Sequence, residues 1–319
     1  MRKIRVAIIA GGWSAERDIS LKSGMAVYNA LDRDKHDKYE VLFLDISQDL
    51  NIIFEKRYAI DIAFPLLHGK FGEDGCIQGF LKILDIPFVG SDVLSSAIAM
   101  NKKISKGIFQ TMGLKVPKGI SVKKSQKFSL SDIIDKIGLP LVVKPVSEGS
   151  SFGISICDNK IELTKGLADA FSYEREVLIE EYIEGREITA PIIGNEKLEV
   201  LPLIEIIPEK GHKFFDFKAK YTPGATKEIC PAELSSDLVN SIEKCAKIAF
   251  ISLGCKVWAR VDTILKNNDI YILEVNTIPG MTENSLFPLS AMKAGISFPE
   301  LLDRLISLSL DAYEQRNRS

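Results

Sequence analysis

Two short pairs of polar residues near the end of the chain combine the side chains that metal and phosphate chemistry requires. Arg260-x-Asp262 lies in one apolar run rich in β-branched residues, and Glu274-x-Asn276 ends a second such run. Side chains alternate between the two faces of a β-strand, so the members of each pair share a face. Carboxylate and amide oxygens suit Mg²⁺, and a neighbouring arginine can neutralise charge that develops at a phosphate. This chemistry requires two adjacent strands that bring the pairs together.

A β-hairpin is the predicted element that positions these pairs. The spacing predicts strands at Val257–Leu265 and Ile270–Val275, separated by the turn-forming residues Asn267-Asn268-Asp269. A three-residue loop with a left-handed Asn would place the two carboxylates opposite each other and Arg260 opposite Asn276. From spacing alone, a solvated face whose charges pair with one another is an interpretation of equal weight. The other face is predicted to be core and consists of Ala259, Val261, Tyr271, Leu273 and Val275.

The loop after the hairpin adds backbone donors to the same region. Pro279 and Gly280 place N–H groups beside the carboxylates, where an oxyanion could be bound. The two polar pairs resemble part of the C-terminal signature of the D-alanine–D-alanine ligases, which are ATP-grasp enzymes. The rest of that resemblance lies in the sequences Pro279-Gly280-Met281-Thr282 and Ser285-Leu286-Phe287-Pro288.

The resemblance implies a role for each of these residues. Three of them would hold two Mg²⁺ or Mn²⁺ ions: Asp262, Glu274 and Asn276. Arg260 and the N–H of Gly280 would stabilise the oxyanion of a tetrahedral intermediate. Ser285 and the backbone of Leu286 would hold the carboxylate of the second D-alanine.

Length and composition limit the possible classes of protein. A chain of 319 residues favours two or three domains, and 46% hydrophobic with 26% charged residues is normal for a globular protein. A net charge of −2 offers no basic surface for nucleic acid. The five cysteines lack Cys-x-x-Cys spacing, which favours a reducing compartment over disulfides or zinc. Without an apolar run of roughly 18 residues, we expect a cytoplasmic protein with no membrane role.

Residues 1–96 are predicted to form a Rossmann-like domain with a parallel sheet, because predicted strands and helices alternate there. Strands are predicted at 3–10, 39–45, 60–67 and 87–89, and helices at 14–31 and 73–84. Ligands of such sheets gather at the carboxyl ends of the strands, where the polar segments 11–17 and 68–75 fall. Gly11-Gly12 lacks the spacing of a dinucleotide-binding fingerprint.

Both polar segments carry a residue that could bind an amino acid. Glu16 alone is more often a partner of a helix dipole, and His68 alone is more often an ordinary hydrogen-bonded histidine. Together, Ser14-Ala15-Glu16-Arg17 and the run 68–79 resemble the same ligase family. The resemblance implies that Glu16 receives the ammonium group of the first D-alanine and that His68 lies near its carboxylate.

Residues 97–184 are predicted as a central ATP-grasp domain. A helix is predicted at 95–112 and strands at 139–145, 153–157 and 176–182. The loop 147–151 is rich in donors but is not a Walker P-loop, because no Gly-Lys-Ser/Thr helix follows it. Lys102 and Lys144 could bind phosphate as point charges, although most lysines are simply solvated.

The resemblance also implies the nucleotide contacts. Lys102 and Lys144 would hold the α- and β-phosphates, and the loop 149–153 would close over the nucleotide. The remaining predicted contacts with ATP are Ser151 in that loop, Glu180, Glu181 and Ile183 at the adenine edge, and Glu187 at the ribose. One departure lies at Asn101, where the family usually has an acidic residue.

Residues 185–319 are predicted as the C-terminal catalytic domain. Strands are predicted at 187–193 and 197–206, and helices at 233–253, capped by Ser235 or Ser236, and at 297–310. The irregular segment Pro208–Pro231 interleaves aromatic residues with lysines, which could suit single-stranded nucleic acid if the chain were basic.

In the ligases this irregular segment closes the active site. The match implies that Lys220 contacts the transferring phosphate and that Tyr221 hydrogen-bonds with Ser150 and, through it, with Glu16. The Lys220-Tyr221 pair favours a dipeptide product over a D-alanine–D-lactate ester.

The complete pattern predicts an α/β chain with an ATP-grasp fold, in which ATP lies between the central and C-terminal α+β domains. The resemblance implies a homodimer that joins two D-alanines through D-alanyl phosphate, with ATP as co-substrate, for peptidoglycan synthesis. Two alternatives remain: an ATP-grasp ligase for different acids and amines, and a nucleotide-binding regulatory protein without turnover. A mere binder has no need of an oxyanion arginine, which argues against the second alternative.

Overall fold

A computed structural model describes residues 2–33, 38–47, 49–149, 152–208 and 226–318. Within these ranges the strands form three sheets, and each sheet takes its strands from one of the three predicted domain ranges. The exact boundaries at 96/97 and 184/185 stay predictions, and the helix Val93–Met100 crosses the first of them. No helix in the described part of the chain combines the length and the apolar character needed to cross a membrane.

The N-terminal sheet is parallel, as predicted from the alternation of elements. Strand β1 (Ile4–Gly11) lies between β2 (Tyr39–Ile46) and β3 (Ile62–Pro65). The helices of this region are α1 (Arg17–Asp32), α2 (Asn51–Lys56) and α3 (Cys76–Ile83). The predicted strand at 87–89 is reduced to one bridge, between Ala63 and Phe88. The segments before α1 and α3 therefore both lie at the carboxyl end of the sheet.

The single helix predicted at 95–112 is two helices, α4 (Val93–Met100) and α5 (Lys102–Thr111). Asn101 has an extended backbone with ψ of 95°, and its Oδ1 accepts the N–H of Ile104 at 3.0 Å. An amide at this position satisfies one of the N–H groups that a helix start leaves without a partner. The break places Lys102 in the first turn of α5.

The central sheet is antiparallel and has its own core. Its order is β4 (Gly119–Lys123), β7 (Glu176–Glu181), β5 (Leu141–Pro145) and β6 (Ser155–Cys157). Helices α6 (Leu130–Ile137) and α7 (Lys160–Tyr173) pack on it, and Val143, Leu167 and Ile179 belong to one buried cluster. The opposite face of the sheet lines a cleft that is described below.

The C-terminal sheet is antiparallel and contains the hairpin. Its elements are β8 (Arg186–Gly194), β9 (Leu198–Val200), β10 (Ile204–Pro208), β11 (Thr226–Ile229), β12 (Val257–Lys266) and β13 (Asp269–Asn276). The strand predicted at 197–206 is therefore two strands, and both pair with β8. Helix α8 (Ser236–Ser252) covers the sheet, and the Ser235 Oγ caps it by accepting the Leu238 N–H.

The predicted cross-strand pairs of the hairpin are confirmed, but the turn differs. Lys266 pairs with Asp269, so the loop has two residues, and Asn267 takes the left-handed conformation with φ of 56°. A bulge at Leu273 then restores the predicted register, with Asp262 opposite Glu274. The bulge turns Leu273 into the cleft, and Ile270 and Ile272 lie in the core, so the core assignments of Tyr271 and Leu273 are wrong.

The N-terminal and C-terminal regions share a hydrophobic core. Trp258 on β12 packs edge-on against Phe64 of β3 and Phe287, with ring centroids 6.2 and 5.1 Å apart. Phe287 lies in α9 (Leu286–Lys293), which is followed by α10 (Phe298–Arg318). Burial of large aromatic rings against one another fixes the N-terminal sheet beside the hairpin.

Candidate active site

The half of the polar face that carries Arg260 and Asp262 is buried, which argues against the solvated-face interpretation, whereas the Glu274 side chain is 29% exposed. Arg260 and Asp262 are only 9% and 6% exposed. The Arg260 Nε and Nη2 donate to the two Asp262 oxygens at 2.8 and 2.7 Å, and the Thr189 Oγ1 donates to Asp262 Oδ1 at 2.5 Å. A buried ion pair costs desolvation energy, so its presence is better explained by function than by stability.

The other predicted metal ligands lie on the partner strand. Glu274 Oε2 is 3.2 Å from the Lys102 Nζ, and the Asn276 Oδ1 accepts the Ile278 N–H at 2.9 Å. Two carboxylates and an amide oxygen on paired strands are the hard donors that Mg²⁺ or Mn²⁺ prefers, and neighbouring groups orient each of them. The residues therefore fit a divalent cation.

A cleft that opens to solvent lies between the central and C-terminal sheets; we call it the nucleotide cleft. Apolar side chains from both sheets line it, including Val142, Ile156 and Leu273. The cleft also contains eight of the predicted site residues: Lys102, Lys144, Glu180, Glu181, Ile183, Glu187, Asp262 and Glu274. A concave apolar site with a few converging charges is typical of a nucleotide-sized ligand.

One predicted nucleotide contact, Glu180, makes ion pairs of its own. Its Oε1 is bonded to the Lys106 Nζ, and its Oε2 lies 2.6 Å from the Lys144 Nζ. Burial acts to raise the pKa of Glu180, but the two ammonium groups outweigh burial and lower it. The carboxylate therefore stays ionised and holds Lys144 at the cleft.

At the carboxyl end of the N-terminal sheet, Glu16, His68 and Glu73 form what we call the N-terminal acidic cluster. The Gly69 N–H donates to Glu73 Oε2 at 2.6 Å. Glu16 Oε2 and Glu73 Oε2 are each 3.5 Å from the position that a Cβ on Gly149 would occupy. The structure thus brings Glu16 and His68 together, as predicted, and adds Glu73.

Burial shifts the pKa values of Glu73 and His68 in this cluster. Burial, and next the charge of Glu16, raise the pKa of Glu73 to about 8, although the Gly69 N–H opposes the shift. Burial lowers the pKa of His68, on which Glu16 and Arg260 act in opposite directions. Among the described residues, the Nε2 of His68 has no hydrogen-bond partner. A buried polar atom of this kind is available to a ligand.

The predicted oxyanion loop is fixed between the two regions. The Met281 N–H donates to the Oγ of Ser23 on α1 at 3.3 Å, and the Thr282 N–H donates to the Ser285 Oγ at 3.0 Å. A Cβ on Gly280 would lie 3.0 Å from the Ser285 Oγ, so a larger residue would press on that hydroxyl. Leu286 begins α9 directly after this loop.

Four predicted site residues lie outside the described residues: Ser150, Ser151, Lys220 and Tyr221. Conversely, sequence reasoning missed three residues that contact the site: Glu73, Lys106 and Thr189. Glu73 lies in the quoted run 68–79, and Lys106 lies four residues after Lys102 on one predicted helix. Helical spacing was the available signal for Lys106, whereas Thr189 became visible only through the pairing of β8 with β12.

Comparison with known families shows which proteins this chain is similar to. A family model described as D-ala D-ala ligase C-terminus matches residues 108–307, and one described as D-ala D-ala ligase N-terminus matches 5–57 and 51–91. The chain belongs to the D-alanine–D-alanine ligase family. A D-alanine–D-alanine ligase from Syntrophobacter fumaroxidans (strain DSM 10017 / MPOB) is 50% identical over 309 residues, covering 97% of this chain and 98% of that protein.

Solved structures show the same fold. The D-alanine–D-alanine ligase from Bacillus anthracis complexed with ATP has a TM-score of 0.85 and 38% identity, covering 98% of this chain and 99% of its own. The VanG D-Ala:D-Ser ligase from Enterococcus faecalis has a TM-score of 0.82 and 31% identity, covering 97% and 100%. The predicted ATP-grasp α/β fold is confirmed, and the protein is an ATP-dependent ligase of this family.

Proposed function

We propose that the protein joins two D-alanine molecules into D-alanyl-D-alanine, while ATP is cleaved to ADP and phosphate, and that the nucleotide cleft and the N-terminal acidic cluster form one active site. The observation that carries this proposal is the position of Lys102. Its Nζ lies 3.2 Å from the Glu274 Oε2 in the cleft and donates to the Glu148 carbonyl at 2.8 Å. The next residue, Gly149, lies beside Glu16 of the cluster. ATP in the cleft and an amino acid at the cluster would therefore be neighbours.

In the first step, the carboxylate of the first D-alanine attacks the γ-phosphorus of ATP, and the bond to ADP breaks. Glu16 binds the ammonium group of this D-alanine. His68, kept neutral near pH 7 by its lowered pKa, hydrogen-bonds with the substrate through a nitrogen that has no partner among the described residues. Lys102 and Lys144 bind the phosphates of ATP, with the carboxylates around them holding both lysines in place.

Asp262, Glu274 and Asn276 are the residues that would hold Mg²⁺ or Mn²⁺. Two ions bound there would neutralise charge on the phosphate oxygens. Thr189 keeps Asp262 oriented by donating to its Oδ1.

In the second step, the amine of the second D-alanine attacks the carbonyl carbon of D-alanyl phosphate, and phosphate leaves. Arg260 and the Gly280 N–H stabilise the oxyanion, a role worth about 3 kcal/mol per donor. Ser285 and the backbone of Leu286 bind the second carboxylate at the start of α9. Exclusion of water from the cleft protects the acyl phosphate from hydrolysis.

The proposal includes the biological setting. The family supports a role in peptidoglycan synthesis, and we infer a cytoplasmic homodimer that acts on D-alanine and ATP and requires neither nucleic acid nor a membrane.

The test is product analysis with purified protein, Mg²⁺ and ATP. Mass spectrometry should detect D-alanyl-D-alanine with D-alanine, and no dipeptide with L-alanine. D-serine and D-lactate belong in the panel because one similar structure is a D-Ala:D-Ser ligase. A different preferred pair would identify a ligase for other acids, and ATP binding without any product would favour the regulatory alternative.

A further inference from the structure

Helix α5 presents two buried lysines toward the nucleotide cleft, one turn apart. Lys102 lines the cleft, whereas Lys106 lies behind the cleft wall and is only 5% exposed. Residues at i and i+4 lie on the same face of a helix, so both ammonium groups point in the same direction. Lysines are rarely this buried unless an anion pairs with them.

The anion is Glu180, which is 2% exposed and contacts two lysines at once. Lys106 of α5 bonds to Oε1, and Lys144 of β5 lies 2.6 Å from Oε2. The Lys144 ammonium faces the cleft, whereas Lys106 does not line it. The three side chains form a buried triad with one surplus positive charge, and only one of its two cations can reach a ligand.

We propose that Lys106 is a positioning residue for ATP: it occupies one oxygen of Glu180 and so leaves the other to hold Lys144 toward the phosphates. This inference rests on the proposed function for the place of ATP in the cleft. It adds a residue that does not touch the nucleotide but sets the orientation and net charge of one that does.

The physical reason lies in the two oxygens of a carboxylate. Without Lys106, one buried Glu180 oxygen would lack a partner, which is costly in an apolar wall. Lys144 could then move to bridge both oxygens and away from the phosphates. The triad would become a neutral pair, and a neutral pair attracts a polyanion less than a site with one positive charge does.

The two lysines respond differently to the same carboxylate. Burial lowers the pKa of Lys106 to about 7. Burial also acts to lower the pKa of Lys144, but the charge and hydrogen bond of Glu180, together with the charge of Glu274 and the contact with Lys106, outweigh burial and raise it. Glu180 of β7 and Lys144 of β5 are the charged groups that face Lys106. The surplus charge of the triad is therefore expected to decrease as pH rises through 7, and ATP affinity with it.

The experiment is calorimetric titration of the full-length protein with ATP and Mg²⁺. Lys106→Met should weaken ATP binding about tenfold or more, because a charged hydrogen-bond partner is lost. Lys106→Arg keeps the cation and should stay within about threefold of wild type. The matched control is Lys103→Met on the same helix, which removes an exposed pair with Glu176 and should leave ATP affinity unchanged.

Two results would overturn the proposal. The first is a folded Lys106→Met protein, judged by its thermal unfolding midpoint, with wild-type ATP affinity. The second comes from a measurement that does not depend on the folding of Lys106→Met. Between pH 6 and 8.5, the ATP affinity of Lys106→Arg should decrease less than that of wild type, since arginine does not titrate there. An identical decline in both proteins would show that Lys106 does not set the charge of the site.

The proposed function is tested separately by D-alanine-dependent phosphate release from the wild-type protein. Turnover by wild type together with unchanged ATP affinity of Lys106→Met would overturn the role of Lys106 alone. Wild-type ATP binding without turnover would instead contradict the ligase activity and leave the role of Lys106 standing.

Discussion

The pKa values of two buried carboxylates shift in opposite directions in the two parts of the site. In the nucleotide cleft, cations face them: Lys106 and Lys144 bond to Glu180, and the two lysines outweigh burial and lower its pKa. In the N-terminal acidic cluster, burial and the nearby Glu16 raise the pKa of Glu73 to about 8. The cleft therefore keeps Glu180 ionised, and Glu180 holds Lys144, which would bind a polyanion. In the cluster, Glu73 keeps its proton at neutral pH, which leaves Glu16 as the proposed partner of a cationic ammonium group.

The largest expected effect comes from removing a charge where the cleft would bind metal. Glu274→Gln preserves size and the fold but weakens a proposed metal ligand, so kcat should fall by about a thousandfold. Steady-state ADP release with saturating D-alanine measures the change. Glu199→Gln on β9, an exposed carboxylate that pairs with Arg304, is the control and should keep full activity. Retained turnover in Glu274→Gln would remove this residue from the metal site.

The second prediction concerns the ion pair in which Arg260 balances the buried charge of Asp262. Arg260→Met leaves Asp262 buried without its bidentate partner, so the free energy of unfolding should fall by about 3 kcal/mol. Urea denaturation measures it. Arg304→Met, which removes an exposed ion pair, should cost less than about 1 kcal/mol. Equal losses of unfolding free energy in Arg260→Met and Arg304→Met would contradict the expected difference between a buried and an exposed ion pair.

The third prediction concerns the pH dependence of the acidic cluster. The folded protein keeps the proton of Glu73 up to about pH 8, whereas an ordinary glutamate releases it near pH 4.5. The folded state therefore binds more protons between these values. The free energy of unfolding should fall as pH rises through this window, by up to about 1.4 kcal/mol per unit.

Glu73→Gln removes this titration while Oε1 of the new amide can still accept the Gly69 N–H. The variant should lose the downward slope between pH 5 and 8 in urea denaturation and become more stable than wild type at pH 8. A slope identical to that of wild type would show that Glu73 is not the titrating group.

The smallest effect is expected at the start of α5, next to the cleft residue Lys102. Asn101→Asp keeps an oxygen for the Ile104 N–H and adds a negative charge at a helix N-terminus, which should stabilise the fold by about 0.5 kcal/mol. Asn101→Ala should instead cost about 1 kcal/mol, because the cap is lost. A stabilising Ala substitution, measured by thermal unfolding, would contradict the capping role.

The same contrast shows what the sequence could predict. Period-two patterning and turn residues were enough to place Asp262 opposite Glu274, since both belong to strongly patterned strands. The predicted length of the turn is wrong. The loop is one residue shorter than predicted, and the bulge at Leu273 compensates for this, so that the predicted cross-strand pairs still form. Local pattern does not reveal a bulge, which depends on packing against the rest of the sheet and on the cleft.

The acidic cluster and the lysine triad were harder to predict for a different reason. Glu16 and His68 were identified by their motifs, but the importance of Glu73 comes from burial, which depends on the whole fold. Helical spacing places Lys106 on the same face as Lys102, but its pairing with Glu180 depends on how α5, β5 and β7 meet. Asn101, which splits a helix predicted as continuous, shows that one capping side chain can override an otherwise helical pattern.

The most direct test of one shared active site is phosphate release from ATP by the wild-type protein, with and without D-alanine and with L-alanine as the control. If the nucleotide cleft and the acidic cluster work together, release should depend on D-alanine and stay at the background rate with L-alanine. Phosphate release that does not depend on D-alanine, or that never rises above background, would contradict this account.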